Sequence, residues 1–165
     1  MKYRFKNRLD SVLIVDDEPY EADWLREYFE NRSFRVEHAL NLQEGLDILD
    51  TTRFAYVVID LSIPVSPSLQ QPLTALGPEF FRYPGLMLAR RARSTGHNTY
   101  QVLVYSVHDS DEVETYTKKI QCGYILKGRP RSLKDVIEGT ITRKPHGWKG
   151  PGGSSRTKRA GHRRT

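Results

Sequence analysis

The sequence predicts an α/β fold with a parallel sheet, and two observations lead to this prediction. Five short apolar runs recur along the chain, and a helical pattern follows each of them. Three of the runs are nearly continuous in Val, Ile, Leu and Tyr, which is typical of strands covered by helices on both faces. Strand–helix alternation repeated five times is the pattern of a doubly wound, five-stranded sheet.

The five strands are predicted from the apolar runs. The first, third and fourth runs are the most continuous, so these strands should lie inside the sheet. The second run is shorter and alternates more between apolar and polar residues, which indicates an edge strand. The predicted strands span residues 12–16, 34–39, 54–60, 101–106 and 123–127.

The helices between and after these runs are predicted from their caps and periodicity. Pro19 lies in the first turn of the first helix, and Asn41 and Ser132 are placed as N-caps of the second and the last. In the third, Leu86 lies on the apolar side. In the fourth, Val113 begins an apolar series with helical spacing. The predicted helices span residues 19–31, 42–49, 86–93, 109–120 and 132–142.

Composition excludes several classes of protein. The 165-residue chain has room for one ordinary domain, and no apolar run is long enough to cross a bilayer. No signal-type apolar segment follows the basic N-terminus. The single cysteine, Cys122, excludes an internal disulfide framework and a multi-cysteine zinc site. We therefore expect a cytoplasmic protein without a membrane span.

Two segments interrupt the strand–helix rhythm. Residues 65–83 form a proline-rich insertion after the third strand, and their apolar side chains indicate a lid over the neighbouring acids, packing on the third helix, or docking of a partner. Residues 143–165 form a basic, glycine-rich tail that we expect to be disordered. The predicted domain, residues 1–142, is mildly acidic, because the tail holds eight Lys and Arg residues and no acid.

Polar residues end four of the predicted strands. Asp16 and Asp17 end the first, Asp60 the third, Ser106 the fourth and Lys127 the fifth. In an open parallel sheet, ligands bind beyond the carboxyl ends of the strands where the winding reverses. If the strand order is 2-1-3-4-5, the first and third strands are neighbours at that point. All five side chains then face one pocket.

This set of residues indicates phosphoryl chemistry at a magnesium site. Three carboxylates held close together require a cation, and oxygen ligands without Cys or paired His favour Mg²⁺ over zinc. A carboxylate beside the metal can attack phosphorus. A lysine supplies positive charge, and a serine hydroxyl can donate to a phosphoryl oxygen. The residues needed to place a phosphoryl group on an aspartate are all present.

Four segments together resemble the receiver domain of two-component response regulators. They read "VLIVDDEP", "VVIDLSIP", "VLVYS" and "GYILKGRP", and the order of acid pair, single Asp, Ser and Lys is specific in combination. The resemblance spans residues 11–142. It implies a flavodoxin-like sheet in the order 2-1-3-4-5 and a stand-alone receiver similar to the chemotaxis regulators.

The resemblance also implies roles for the acids. Asp60 is the expected phosphoacceptor. Asp17 and Asp60 are expected to ligate Mg²⁺, with Asp16 acting mainly through water and Ser62 contributing its backbone carbonyl. The insertion follows Asp60 directly, in a loop that most receivers keep short.

The remaining implied roles belong to three residues on the last two strands. Ser106 and Lys127 are expected to contact the phosphoryl group, and Tyr124 matches the family's switch aromatic. The expected function is a phosphorelay receiver, not an enzyme. A histidine kinase or phosphotransfer protein would supply the phosphoryl group. Output would be a protein contact, or formation of a homodimer, through the face made by the last helices and strand.

Three alternatives remain open from the sequence. The chain could be a phosphate-independent interaction module whose pocket the insertion covers. It could be a regulator that binds nucleic acid through the basic tail, by salt-dependent and sequence-independent attraction. A metal-dependent phosphatase is a weaker alternative, because such an enzyme would normally need a second acid two residues after the nucleophile, where this chain has Ser62.

Overall fold

A computed structural model describes residues 5–142. Within this range the chain folds as a five-stranded parallel sheet in the order β2-β1-β3-β4-β5, with helices on both faces. The predicted fold class and strand order are therefore confirmed. The prediction of a disordered tail at residues 143–165 lies outside the described residues.

The strands match the predicted runs, with one large difference at the first. Their bounds are β1 Lys6–Val15, β2 Arg35–Ala39, β3 Thr52–Ile59, β4 Val102–Ser106 and β5 Gly123–Leu126. The predicted start of the first strand at residue 12 was wrong: Lys6, Asn7 and Arg8 already pair with β3, and a register shift separates them from Val12. These added residues are polar and mostly exposed, so they carry no signal of a buried strand.

The helices also follow the predictions, with changes at their ends. Their bounds are α1 Asp23–Glu30, α2 Leu42–Leu49, α3 Pro67–Leu76, α4 Pro78–Arg82, α5 Gly85–Ser94, α6 Asp111–Ile120 and α7 Pro130–Thr142. The first predicted helix is divided, because a 3-10 turn, Pro19–Ala22, precedes α1. Asn41 is confirmed as an N-cap, since its Oδ1 accepts a hydrogen bond from the backbone N–H of Glu44 at 2.9 Å. The predicted cap at Ser132 was wrong, because α7 begins at Pro130.

The predicted insertion at residues 65–83 contains α3 and α4. Leu73 and Phe80 from these helices are 1% and 3% exposed and join the same apolar cluster as Leu86 of α5. Phe81, in contrast, is 61% exposed. The insertion thus packs beside α5 as part of the core, which was one of the three outcomes considered from the sequence.

Two apolar cores cover the two faces of the sheet. One lies between the sheet and α2, α5, α6 and the insertion, and the other lies beneath α1 and α7. Among residues 5–142, no helix is both long and apolar enough to span a membrane.

A buried histidine joins the start of β3 to the segment after α5. His97 is 2% exposed, and its Nε2 accepts a hydrogen bond from the backbone N–H of Phe54 at 3.0 Å. Its Nδ1 lies 3.0 Å from the carbonyl oxygen of Ala92 and must therefore carry the proton. Burial lowers the pKa of His97 to about 4, so the ring is neutral at pH 7.

Candidate functional site

The strand register brings the ends of β1 and β3 together. Val15 and Ile59 are partners in the ladder, so the residues that follow them, Asp16 and Asp60, lie side by side at the carboxyl edge of the sheet. The backbone N–H of Asp60 donates to the carbonyl oxygen of Val15 at 2.8 Å. The two acids are thereby fixed by backbone pairing, as the predicted switch point requires.

Three carboxylates form a cluster at this edge. Asp16, Asp17 and Asp60 each offer a carboxylate oxygen, and these oxygens all lie within 4.8 Å of one another. Asp16 is buried, whereas Asp17 is exposed. Oδ1 of Asp16 also accepts a hydrogen bond from the backbone N–H of Glu18 at 2.9 Å, which orients its carboxylate.

Lys127 joins two of these acids. Its Nζ donates to Oδ2 of Asp16 at 2.8 Å and to Oδ2 of Asp60 at 3.0 Å, and the three side chains are only 12%, 6% and 11% exposed. Burial lowers the pKa of Lys127, but the hydrogen bonds and charges of the two aspartates outweigh burial, so its pKa lies above the ordinary value. The ammonium is therefore charged and offsets part of the repulsion among the acids.

The carboxyl of Asp60 is less readily ionised than an exposed aspartate. Burial raises its pKa, while the hydrogen bond and charge of Lys127 oppose that effect, and the negative charge of Asp16 adds to it. The side chain thus sits between a cation and another acid. A nearby divalent cation would favour its ionised form.

Ser106 and Tyr124 flank the segment that leaves β4. Ser106 is fully buried, its carbonyl oxygen accepts the N–H of Lys127 at 2.7 Å, and its hydroxyl oxygen accepts the N–H of His108 at 3.3 Å. The hydroxyl of Tyr124 donates to the carbonyl oxygen of His108 and accepts the N–H of Ser110 at 3.2 Å. Within the described residues, the contact between Ser106 and Lys127 is the hydrogen bond from the N–H of Lys127 to the carbonyl oxygen of Ser106.

Ser62 contacts the site through groups other than the predicted carbonyl. Its backbone N–H lies 3.4 Å from Oδ1 of Asp60, and its hydroxyl is 2.8 Å from Nε2 of His108. The ring of His108 in turn makes an edge contact with the ring of Tyr83, with centroids 5.4 Å apart. No local pattern in the sequence indicates these contacts, since Tyr83 belongs to the insertion and is remote from His108 along the chain.

Just after the insertion, the first residue of α5, Gly85, is in close contact with the backbone of Asp60, the phosphoacceptor predicted from the sequence. The N–H of Gly85 donates to the carbonyl oxygen of Leu61 at 3.0 Å, and a Cβ at Gly85 would lie 2.2 Å from the carbonyl oxygen of Asp60. Only glycine permits this approach. Glycine here was not identified as a site residue from the sequence.

No family model matches the sequence. The chain is 28% identical over 138 residues to the transcriptional regulatory protein SrrA of Staphylococcus aureus; the match covers 78% of this chain and 56% of SrrA. The chain therefore spans little more than half the length of that relative.

Two solved structures show the same fold. One is a CheY-like response regulator receiver domain protein from Methanospirillum hungatei, with a TM-score of 0.61, 20% identity, and coverage of 84% of this chain and 95% of that one. The other is a response regulator from Burkholderia pseudomallei with a phosphorylated aspartic acid, a calcium ion and citrate, with a TM-score of 0.57, 19% identity, and coverage of 81% and 69%. The chain thus has the fold of response regulator receiver domains and resembles that family in its sequence.

Proposed function

We propose that this chain is a phosphorelay receiver that accepts a phosphoryl group on Asp60. The observation that carries the proposal is the set of contacts around that side chain. Lys127 bridges Asp60 and Asp16, and the oxygens of Asp16, Asp17 and Asp60 converge. A carboxylate held between a lysine and other acids at a sheet switch point suits nucleophilic attack on phosphorus.

The proposed donor is the phosphohistidine of a histidine kinase or phosphotransfer protein. A carboxylate oxygen of Asp60 attacks phosphorus, the P–N bond of the donor breaks, and the electron pair returns to the imidazole, which takes up a proton. Hydrolysis later returns the aspartate: water attacks phosphorus, the acyl P–O bond breaks, and inorganic phosphate leaves.

The acid cluster fits Mg²⁺. The donor set consists of oxygens only, and its carboxylates already lie close enough to share one ion. We propose that Asp17 and Asp60 hold the ion directly, Asp16 through water, and Ser62 through its carbonyl. When bound, Mg²⁺ neutralises charge on the transferring group.

The other residues have proposed roles after transfer. A dianionic group on Asp60 would attract the ammonium of Lys127 and the hydroxyl of Ser106. Because Ser106 precedes the segment to which Tyr124 is hydrogen bonded, its displacement would alter the packing of that ring. The proposed output is a changed surface at α6, β5 and α7 that binds a protein or a second copy of the chain.

In this role the chain signals by its phosphorylation state and is not a turnover enzyme. A cytoplasmic location, where kinases of this type act, remains a prediction. The proposed contact of the tail with nucleic acid concerns residues outside the described range. It would be tested by gel shift at two salt concentrations with and without residues 143–165.

The assignment of Asp60 is tested by labelling with acetyl phosphate and Mg²⁺. We expect the wild-type chain to incorporate one phosphoryl group and Asp60→Asn to incorporate none, because an amide is a far weaker nucleophile. Asp47→Asn, which changes an exposed acid on α2, is the matched control and should label normally. Undiminished labelling of Asp60→Asn would refute the assignment.

The covered-pocket alternative is tested with beryllofluoride and Mg²⁺. A receiver with an accessible site should show a change in tryptophan fluorescence on addition of both, because Trp24 packs against Tyr105 close to Lys127. No change in fluorescence and no labelling of the wild-type chain would favour a phosphate-independent interaction module.

A further inference from the structure

The last residue of the insertion, Tyr83, contacts His108 at the rim of the phosphoacceptor site. The residues just before Tyr83 are held on α6. Phe80 of α4 is 3% exposed, and its ring makes an edge contact with Tyr116 of α6, with centroids 5.0 Å apart. Arg82 pairs with Glu112 of α6 at 2.7 Å. These two contacts fix the end of α4 on α6, immediately before Tyr83.

The backbone around Tyr83 is fixed on both sides as well. Its N–H donates to the carbonyl oxygen of Glu79 at 2.8 Å, and its carbonyl oxygen accepts the N–H of Leu86 at 3.0 Å. Two residues later, Gly85 lies directly against the backbone of Asp60. The position of the Tyr83 ring relative to the phosphoacceptor is therefore determined by short, local connections.

Tyr83 uses this fixed position to support His108. The two rings meet edge to face, and Nε2 of the imidazole lies 2.8 Å from the hydroxyl of Ser62. Ser62 in turn lies with its backbone N–H 3.4 Å from the carboxylate of Asp60. The His108 ring therefore bridges the segments that leave β3 and β4 at the rim of the site.

We propose that Tyr83 is a positioning residue that holds His108 as a gate at the rim of the Asp60 site. This inference rests on the proposed phosphoacceptor function. In this arrangement the imidazole bridge would narrow the approach to the carboxylate of Asp60, whose side chain is only 11% exposed. Acetyl phosphate has to approach the carboxylate of Asp60, and hydrolytic water has to approach the phosphorus bound to that carboxylate. Because both pass the same rim, the gate slows both the formation and the loss of the phosphoaspartate.

The expected result is a parallel change in two rates. Tyr83→Leu removes the aromatic edge contact while keeping an apolar side chain. Since an aromatic pair stabilises by an amount that corresponds to about a threefold to tenfold change in an equilibrium, both rates should rise by about that factor. The steady-state labelled fraction should change little, because labelling and hydrolysis accelerate together.

The experiment measures the initial rate of labelling by acetyl phosphate with Mg²⁺, and the first-order loss of label after removal of the donor. Tyr83→Phe keeps the ring and should behave as the wild type. Phe81→Leu is the matched control, because it removes an adjacent ring that is exposed, and should also leave both rates unchanged.

A double substitution tests the route through Ser62. Ser62→Ala removes the hydroxyl that anchors the imidazole, so Tyr83→Leu should have little further effect on either rate in that background. Additive effects of the two substitutions would contradict the bridge. Urea unfolding of each variant identifies those that do not fold. If Tyr83→Leu is one of them, His108→Ala removes the gate itself and should raise both rates, and unchanged rates in that variant would overturn the proposal.

Some outcomes overturn the gate while leaving the phosphoacceptor assignment intact. If the wild type labels and Asp60→Asn does not, but Tyr83→Leu changes neither rate or only one of them, the positioning role is wrong. If the wild-type chain does not label at all, the proposed function itself has failed. The affinity for Mg²⁺, measured by fluorescence titration, should be equal in Tyr83→Leu and the wild type, because Tyr83 contacts none of the three acids.

Discussion

His97 predicts a specific loss of stability in acid. Its Nε2 accepts the N–H of Phe54 and its Nδ1 donates to Ala92, so the folded protein holds a neutral ring with one tautomer. A proton added to Nε2 would face the N–H of Phe54, a second donor. Burial accordingly lowers the pKa of His97 from 6.5 to about 4.

The size and direction of the effect follow from linkage. The unfolded chain binds the proton near pH 6.5, whereas the folded chain resists protonation until about pH 4. The stabilisation is therefore complete above about pH 6.5 and is lost as the pH falls from there to about 4. A difference of this size corresponds to about 3 kcal/mol in the free energy of unfolding.

The measurement compares urea unfolding of the wild type and His97→Leu at pH 7.5 and pH 4.5. At pH 7.5 the variant should be less stable by about 1–3 kcal/mol, because the N–H of Phe54 loses its acceptor. At pH 4.5 the wild type has lost most of its advantage, so the difference should shrink by about 2–3 kcal/mol. Tyr100→Leu, an exposed neighbour, is the control and should show a difference that does not depend on pH. If the free energies of unfolding of the wild type and His97→Leu differ by the same amount at both pH values, the reasoning is refuted.

Two further substitutions test the site. Gly85→Ala places a Cβ 2.2 Å from the carbonyl oxygen of Asp60, so we expect urea unfolding to show a loss of about 1–3 kcal/mol and labelling by acetyl phosphate to slow. Gly139→Ala is its control, since among the described residues a Cβ there would meet no atom within 4 Å apart from its chain neighbours and its own helix backbone. Equal stability of the two variants would contradict the close approach at Gly85. Lys127→Met leaves two nearly buried aspartates without their cation. The free energy of unfolding measured in EDTA should therefore fall by about 3–5 kcal/mol. Mg²⁺ should recover part of that loss, and an unchanged urea midpoint in EDTA would contradict the bridging role.

The fold was predictable because its signals are local and repeated. Branched apolar runs identify strands that helices cover on both faces, and each run is followed by a helix. The polar start of β1, Lys6–Val15, could not be predicted in this way, because its first residues pair with β3 while remaining exposed. The helices of the insertion were hidden by proline, since Pro67 begins α3 and Pro72 lies inside it.

The candidate site was predictable to the extent that strand ends determine it. Asp16, Asp60 and Lys127 each follow a strand, and the order of the sheet brings them into contact. His108 lies two residues after Ser106, in a loop where a single histidine carries no sign of a specific partner. Its contact with Tyr83 depends on how the insertion packs against α6, and no pattern within a single segment encodes that packing.

The contact between Gly85 and Leu61 has a consequence for how the segment between these two residues can change in length. The segment between them leaves the sheet and returns to the same place, since Gly85 hydrogen bonds to Leu61 at 3.0 Å. A flexible stretch inserted on the exposed side of this segment would cost little, because each doubling of a loop's length adds only about 0.6 kcal/mol of closure entropy. Residues could therefore be added or removed in this excursion without moving β3 or α5, provided that Leu73 and Phe80 keep their places in the core. The arrangement lets the domain acquire new surface next to Asp60, the proposed phosphoacceptor, while the parallel sheet stays as it is.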